Sequence, residues 1–348
     1  MFVPSLLYLF SAAALEPLLP WVPRWIWLSA FIAFNAVFNL IGIEITARVN
    51  RWMLLMELAA LALFLVCGLI ALYGGAGAGH LTLRPIYDPA AFSWATVAGA
   101  TSIAVLSFLG FDGISTLSEE NSGKDSAIGR ATLLALLLIG VLYIMQTWLA
   151  TDLAHGMTFS SPDTAFYEVA DRAGGAWLRL VTIIAIVIAG AIGNAMAAQA
   201  AVARVLFAMA RDRKLPSFLA KVHPRFQTPY MSTLTVSVLS LLVGLFFSHR
   251  VDDLTRVVNF GALTGFLLLH LSVINHYLLR QRSRDWLRHL LCPLVGFLVI
   301  GVVLIEMDRA AKILGACWIG IGALYYGGMT LMARRSEEGS QRDVQAGR

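Results

Sequence analysis

Between Ser107 and Asn121 the chain reads Ser-Phe-Leu-Gly-Phe-Asp-Gly-Ile-Ser-Thr-Leu-Ser-Glu-Glu-Asn, at the end of an apolar run that begins near Trp94. Gly110 and Gly113 bracket the carboxylate of Asp112 at a depth where a membrane-crossing segment is still in lipid. A glycine costs a helix interior about 1 kcal/mol relative to alanine, and an ionisable group near the bilayer centre costs about 2.5 to 3.5 kcal/mol on insertion scales. A segment that had only to cross lipid would accept neither. One that unwinds midway uses both, because the unwound backbone offers N–H and C=O groups to a solute or ion inside a protein-lined cavity. The chemistry is reversible coordination, with no covalent step. A second reading is a close-packed helix whose small residues meet a neighbour while Asp112 pairs across the contact.

The rest of the composition supplies the elements that would hold such a segment. The 348 residues are 58% hydrophobic and 14% charged, with a mean hydropathy of +0.74, against about 25% charged residues in an ordinary soluble domain. Apolar runs long enough for the about 20 helical residues that a bilayer core requires occur near residues 25–43, 52–74, 95–118, 129–151, 177–200, 230–249, 254–279, 289–306 and 311–332. A tenth occupies residues 1–19. The runs are continuous and do not alternate, so the expected class is an all-α polytopic membrane protein, not a barrel. We expect one transmembrane domain over residues 1–335 and a charged, disordered tail over 336–348. The net charge of +5 follows from basic residues concentrated in alternate loops. That pattern places the tail in the cytoplasm and needs no nucleic-acid partner; the expected location is the cell's inner membrane.

Other polar residues inside the runs are candidates for coupling or for packing. Glu57 lies about one helical turn inside its run. It reads either as a proton-exchanging carboxylate or as an interfacial residue paired with Arg48 or Arg51. His270, roughly 15 Å from the run's end at Arg280, reads as a proton relay or as a hydrogen-bonded structural histidine. Asn194 and Gln199 sit in a run rich in glycine and alanine and suit interhelical contact or a cavity. Ser161-Pro-Asp opens a short helix whose Phe166, Val169 and Ala170 form an apolar face, either closing over an outer vestibule or resting on the interface. Gly74 to Pro89 reads as a flexible connection, and Glu119 and Glu120 as gate partners or solvated ends. Cys67, Cys292 and Cys317 read as small apolar residues. The scattered histidines offer no paired ligand spacing, so neither a metal, a cofactor nor an enzyme active site is expected. No charged ring or filter-like repeat supports a channel.

The Phe-Leu-Gly-Phe-Asp stretch at 108–112 resembles the sixth span of the amino acid-polyamine-organocation permeases. Two further stretches carry the likeness. Arg204 to Arg225, with its Ala-Arg-Asp, Leu-Pro and Val-His-Pro-Arg elements in order, is similar to the family's loop between the eighth and ninth spans. Val257 to His276 resembles the tenth span. Residues 1–23 look like the outer half of the third span, and Ile43 to Arg51 like the loop between the fourth and fifth.

The resemblance implies a leucine-transporter-like inverted-repeat fold lacking roughly the first two and a half spans. It implies a secondary transporter of amino acids or related amines by alternating access, proton-coupled or exchanging. The backbone around Ser107, Phe108, Leu109 and Gly110 would then meet the solute's amino group, with Phe111 and Gly113 completing the site and Phe108 or Phe111 excluding water. Asp112, Glu57 and His270 would serve coupling or gating. The implied partners are a small amino acid or amine, the lipid bilayer and a chain supplying the missing helices. The competing expectation is a fragment without transport activity of its own, because the family's broken first helix has no counterpart in residues 1–50.

Overall fold

In a bilayer core every backbone N–H and C=O must find a partner within the protein, so apolar runs of this length become helices. The computed structural model describes residues 2–16, 18–41, 43–89, 92–111, 113–114, 126–160 and 164–346. Every regular element among them is helical: α1 (Val3–Leu15), α2 (Arg24–Ile41), α3 (Ile43–Tyr73), α4 (Trp94–Phe108), α5 (Ser126–Leu153), α6 (Ala165–Gly174), α7 (Ala176–Ile188), α8 (Ala195–Arg211), α9 (Tyr230–Phe246), α10 (Val251–Val273), α11 (Cys292–Glu306) and α12 (Arg309–Ala346). Among the described residues, six stretches are long and apolar enough to cross a membrane: Arg24–Ile41, Arg51–Tyr73, Ala127–Leu153, Ala176–Arg211, Val251–Arg280 and Leu287–Glu306. Three shorter apolar helices, α1, α4 and α9, accompany them. In backbone, α12 continues into the charged stretch after residue 335.

The chain divides into two compact units, one of Met1–Ser93 with Ser107–Leu254, the other of Trp94–Leu106 with Thr255–Arg348. Buried side-chain amides stitch the first unit together. Asn35 on α2 donates to the Tyr8 hydroxyl at 2.9 Å and to the Ala191 carbonyl at 2.7 Å. Asn39 donates to the Met196 carbonyl and to Gln199 Oε1, both at 3.1 Å, and Gln199 passes the chain on to Ser237 on α9 at 2.6 Å. Gln199 is thus interhelical glue, and each bond spares a buried polar group the cost of an unmade partner.

Between α7 and α8 the helix widens into a π-helical turn, Ala189–Asn194. Glycine lets two neighbours come close to it. A Cβ on Gly190 would stand 3.0 Å from Ser11 Oγ, and one on Gly193 would stand 3.1 Å from Met53 Cβ.

Helix α6 buries its apolar face on protein. Val169, Ala170 and Ala173 share a core with Phe64 and Leu72 of α3 and with Leu149 and Leu153 of α5, and Phe166 meets Phe64 at a ring distance of 5.0 Å. Ser161 to Asp163, the expected start of this helix, lie outside the described residues. Its first turn is tied by Glu168, which accepts from the Thr164 hydroxyl at 2.8 Å and from the Ser160 amide at 3.2 Å. Those bonds, Thr164's first, hold the Glu168 carboxyl below its ordinary value of 4.5.

The glycine-rich connection after α3 is clasped, not flexible. Asp152, at the end of α5 and only 3% exposed, accepts from the Thr82 amide at 2.8 Å and the Thr82 hydroxyl at 2.6 Å. Trp148 Nε1 donates to the Thr82 carbonyl at 2.7 Å, and the Ala78 amide donates to the Asp152 carbonyl at 3.0 Å. Composition reports the entropy of such a loop; it does not report the carboxylate that fixes it. A cavity of about 660 Å³ remains between the loop and the end of α5, with His80, Arg84 and His155 among its walls.

In the second unit, Phe260, Leu263, Val303, Met307 and Ala311 form the core, with Val105 of α4 against it. Asn259 donates to the Ser102 carbonyl at 3.1 Å, and Arg256 pairs with Asp308 at 3.0 Å.

Two expectations follow from the first unit. Gly77 has φ +61°, and a Cβ there would sit 2.3 Å from the Asp152 carbonyl oxygen. Gly77→Ala should therefore cost at least the about 1–3 kcal/mol of overpacking, read as a lowered midpoint in thermal unfolding of the purified chain. Gly79→Ala, with φ +75° but open space around it, should cost less. For Glu168 the folded value lies below the unfolded one, so its contribution is present above the ordinary carboxylate range and is lost as pH falls through the depressed value. Hydrogen exchange at the Ser160 amide should accelerate over that window in the wild type and show no such step in Glu168→Gln.

Candidate functional site

Helix α4 holds 15 residues, a rise of about 22 Å at 1.5 Å per residue, and so stops short of a ~30 Å hydrocarbon core. It ends at Phe108, and the chain turns through Leu109 and Gly110. Gly110 has φ +116°, a conformation that side chains with a Cβ rarely adopt. The Gly113 amide then donates to the Gly110 carbonyl at 3.0 Å, closing a tighter turn. A Cβ on either glycine would meet no described residue within 4 Å. At Gly110 the backbone angle itself calls for glycine. Among the described residues α4 stops at Phe108 and does not run on through Gly110.

A helix C-terminus leaves its last four carbonyls without intrahelical partners, and their dipoles favour a positive group. One of these carbonyls, that of Ser107, is taken by a side chain the sequence reading had passed over. Tyr143 of α5 donates its hydroxyl to the Ser107 oxygen at 2.9 Å, while its ring stands edge-on to Phe108 at 5.4 Å and 89°. The signal was present: Tyr143, Thr147 and Thr151 recur every four residues in a largely apolar run, a polar stripe on one helix face.

Glu57 lies on α3. Its described partner is Asn194, whose Nδ2 donates to Glu57 Oε1 at 3.2 Å, and neither Arg48 nor Arg51 pairs with it among the described residues. Asn194 closes the π-helical turn, a distortion frequent at functional sites. Ser107, Phe108 and Tyr143 thus form one connected set at the end of α4, and Glu57 and Asn194 pair between α3 and the π-helical turn.

The other expected residues divide. Leu109, Gly110, Phe111 and Gly113 follow directly in the turn. Asp112, and with it Glu119 and Glu120, lies outside the described residues. His270 belongs to the second unit, where its ring lies over Gly296 so closely that a Cβ there would come within 2.5 Å of it.

The two glycines separate conformation from space. Gly110→Ala should cost about 1–2 kcal/mol of backbone strain and lower the yield of folded chain, whereas Gly113→Ala, with open surroundings and no positive φ, should be tolerated. Size-exclusion profiles and unfolding midpoints of the two variants check this.

Comparison with known proteins accords with the geometry. The sequence pattern of the family described as amino acid permease matches residues 1–314. A low-affinity putrescine importer of Escherichia coli K12 is 32% identical over 332 residues, covering 93% of this chain and 72% of the importer. A branched-chain amino acid permease of Bacillus subtilis is 28% identical over 268 residues, 76% of this chain and 54% of that protein. A methylthioribose transporter of the same species is 25% identical over 290 residues, 82% and 60% of the two chains. With a match running through the broken helix, the cytoplasmic-type loop and the tenth-span motif alike, the chain belongs to the amino acid permease family, transporters of the amino acid-polyamine-organocation superfamily and not enzymes.

Proposed function

We propose that the chain is a secondary active transporter of amino acids or related amines, working by alternating access from the inner membrane with its C-terminus in the cytoplasm. The observation that carries the reading is the helix end at Ser107–Gly110: α4 stops short of a full span and the chain turns at a glycine with φ +116°, where Tyr143 holds the Ser107 carbonyl. Carbonyl dipoles at a helix C-terminus favour a cation. In this reading Ser107, Phe108, Leu109 and Gly110 receive the solute's ammonium group, and Phe108 or Phe111 shields it from water. Gly113 keeps the turn short. Glu57 and Asp112 are the carboxylates through which a proton would couple, and His270 is a third candidate for the same role. The named activities of the relatives, a putrescine importer and a branched-chain amino acid permease, support an amine-bearing solute and leave the size of its side chain open.

Proteoliposomes with radiolabelled putrescine and leucine as probes test this. The expected result is saturable uptake of one of the two. Accumulation driven by an imposed proton gradient without internal solute assigns proton coupling; uptake only against preloaded solute assigns exchange. Monodisperse chain that takes up neither probe under either condition overturns the transport reading for this polypeptide.

A further inference from the structure

We infer that Tyr143 occupies the solute's place in the solute-free chain: its hydroxyl holds the Ser107 carbonyl that an incoming primary ammonium takes over. The inference rests on the permease reading for the identity of the solute; the hydrogen bond itself stands on geometry alone.

Three features carry it. The hydroxyl lies 2.9 Å from the Ser107 oxygen, at the end of the broken helix where an ammonium would bind. A tyrosine has one hydroxyl hydrogen, so while it serves Ser107 it cannot serve a second acceptor. The edge-on contact between its ring and Phe108 at 5.4 Å keeps the ring beside the helix end, and release of the carbonyl then needs rotation of the hydroxyl more than departure of the side chain.

The exchange runs in the favourable direction. An ammonium brings three donors and a charge, and charge-assisted hydrogen bonds are roughly twice as strong as neutral ones. It replaces a neutral hydroxyl at the carbonyl. A solute without a donor at this position has nothing to offer Ser107 in exchange, so Tyr143 selects protonated primary amines over isosteres lacking N–H. Tyr143 is in this sense a positioning residue with a share in specificity, acting by competition.

Two measurements test it, one without any solute. In a chain with Cys67, Cys292 and Cys317 replaced by serine, Leu109→Cys reports access to the helix end through its rate of reaction with a methanethiosulfonate reagent. Adding Tyr143→Phe, which keeps the ring and removes the hydroxyl, should raise that rate about two- to tenfold, the factor corresponding to one hydrogen bond of ordinary strength. An unchanged or lower rate overturns the proposal. The second arm is putrescine uptake by the full chain. Tyr143→Phe should lower KM by a similar factor without a matching rise in kcat. A tyrosine that merely braces the fold would instead raise KM or lower the unfolding midpoint, and either result sinks the idea. If the wild type takes up no probe, the transport reading fails by itself, and the labelling arm still decides whether Tyr143 closes the helix end.

Discussion

A polypeptide in hydrocarbon cannot leave a carbonyl unpaired, because no water is present to take it, and the architecture follows from how this chain meets that demand where its helices are irregular. At the end of α4 the Ser107 carbonyl is taken by Tyr143. In the widened turn between α7 and α8 the Ala191 carbonyl is taken by Asn35, which is itself wholly buried. Asn39 reaches the Met196 carbonyl just beyond it. In the second unit Asn259 donates to the Ser102 carbonyl within α4. Four polar side chains that look expensive in an apolar sequence thus share one task, donating to backbone oxygens on other helices. Each donor bond offsets part of the cost of burying its group, while the amide oxygens of Asn35 and Asn259 stay buried without a hydrogen-bond partner among the described residues.

Much of this was legible from residue types alone, and the boundary of legibility is physical. The break in α4 could be read because Gly110, Asp112 and Gly113 are costly in an unbroken span. The role of Gly110 was legible for the same reason, while Gly113, in open space and without positive φ, needs glycine for no reason of conformation or room. Glu57 was visible as a carboxylate, but its partner was not. Arg48 and Arg51 are near in sequence, whereas Asn194 is brought to it over 137 positions. Tyr143 escaped notice because its acceptor is a backbone oxygen 36 residues away, and a backbone oxygen has no letter in the sequence. The loop after α3 misled in the opposite sense. Its glycines suggested freedom, yet Gly77 is glycine because the Asp152 carbonyl passes 2.3 Å from where a Cβ would be.

The same facts separate firm from yielding parts of the first unit. The shared core of α3, α5 and α6 and the Asp152–Thr82 clasp tie one end of α3 to one end of α5 through apolar burial and several hydrogen bonds. Further along the same two helices, Glu57 and Tyr143 meet neighbours through one described hydrogen bond each, and the helix facing Glu57 is widened at that level. Motion that leaves the clasped end intact therefore costs least at the level of the broken helix. A solute site placed there can change shape without unfolding what holds it.

A neutral donor suits such a place better than a charged one. A lysine at position 143 would satisfy the Ser107 carbonyl more strongly, but it would compete with an ammonium on equal terms and carry a permanent charge into the span, at about 2.5 to 3.5 kcal/mol on insertion scales. An aliphatic residue would cost nothing to bury and would leave the carbonyl bare, at about 1 to 3 kcal/mol for the unmade bond. A hydroxyl lies between these limits, with a net worth near 1 kcal/mol. That is enough to close the helix end and little enough for a cation to displace. Transport needs that intermediate strength, since a site that turns over must be satisfied when empty and still give way when the solute arrives.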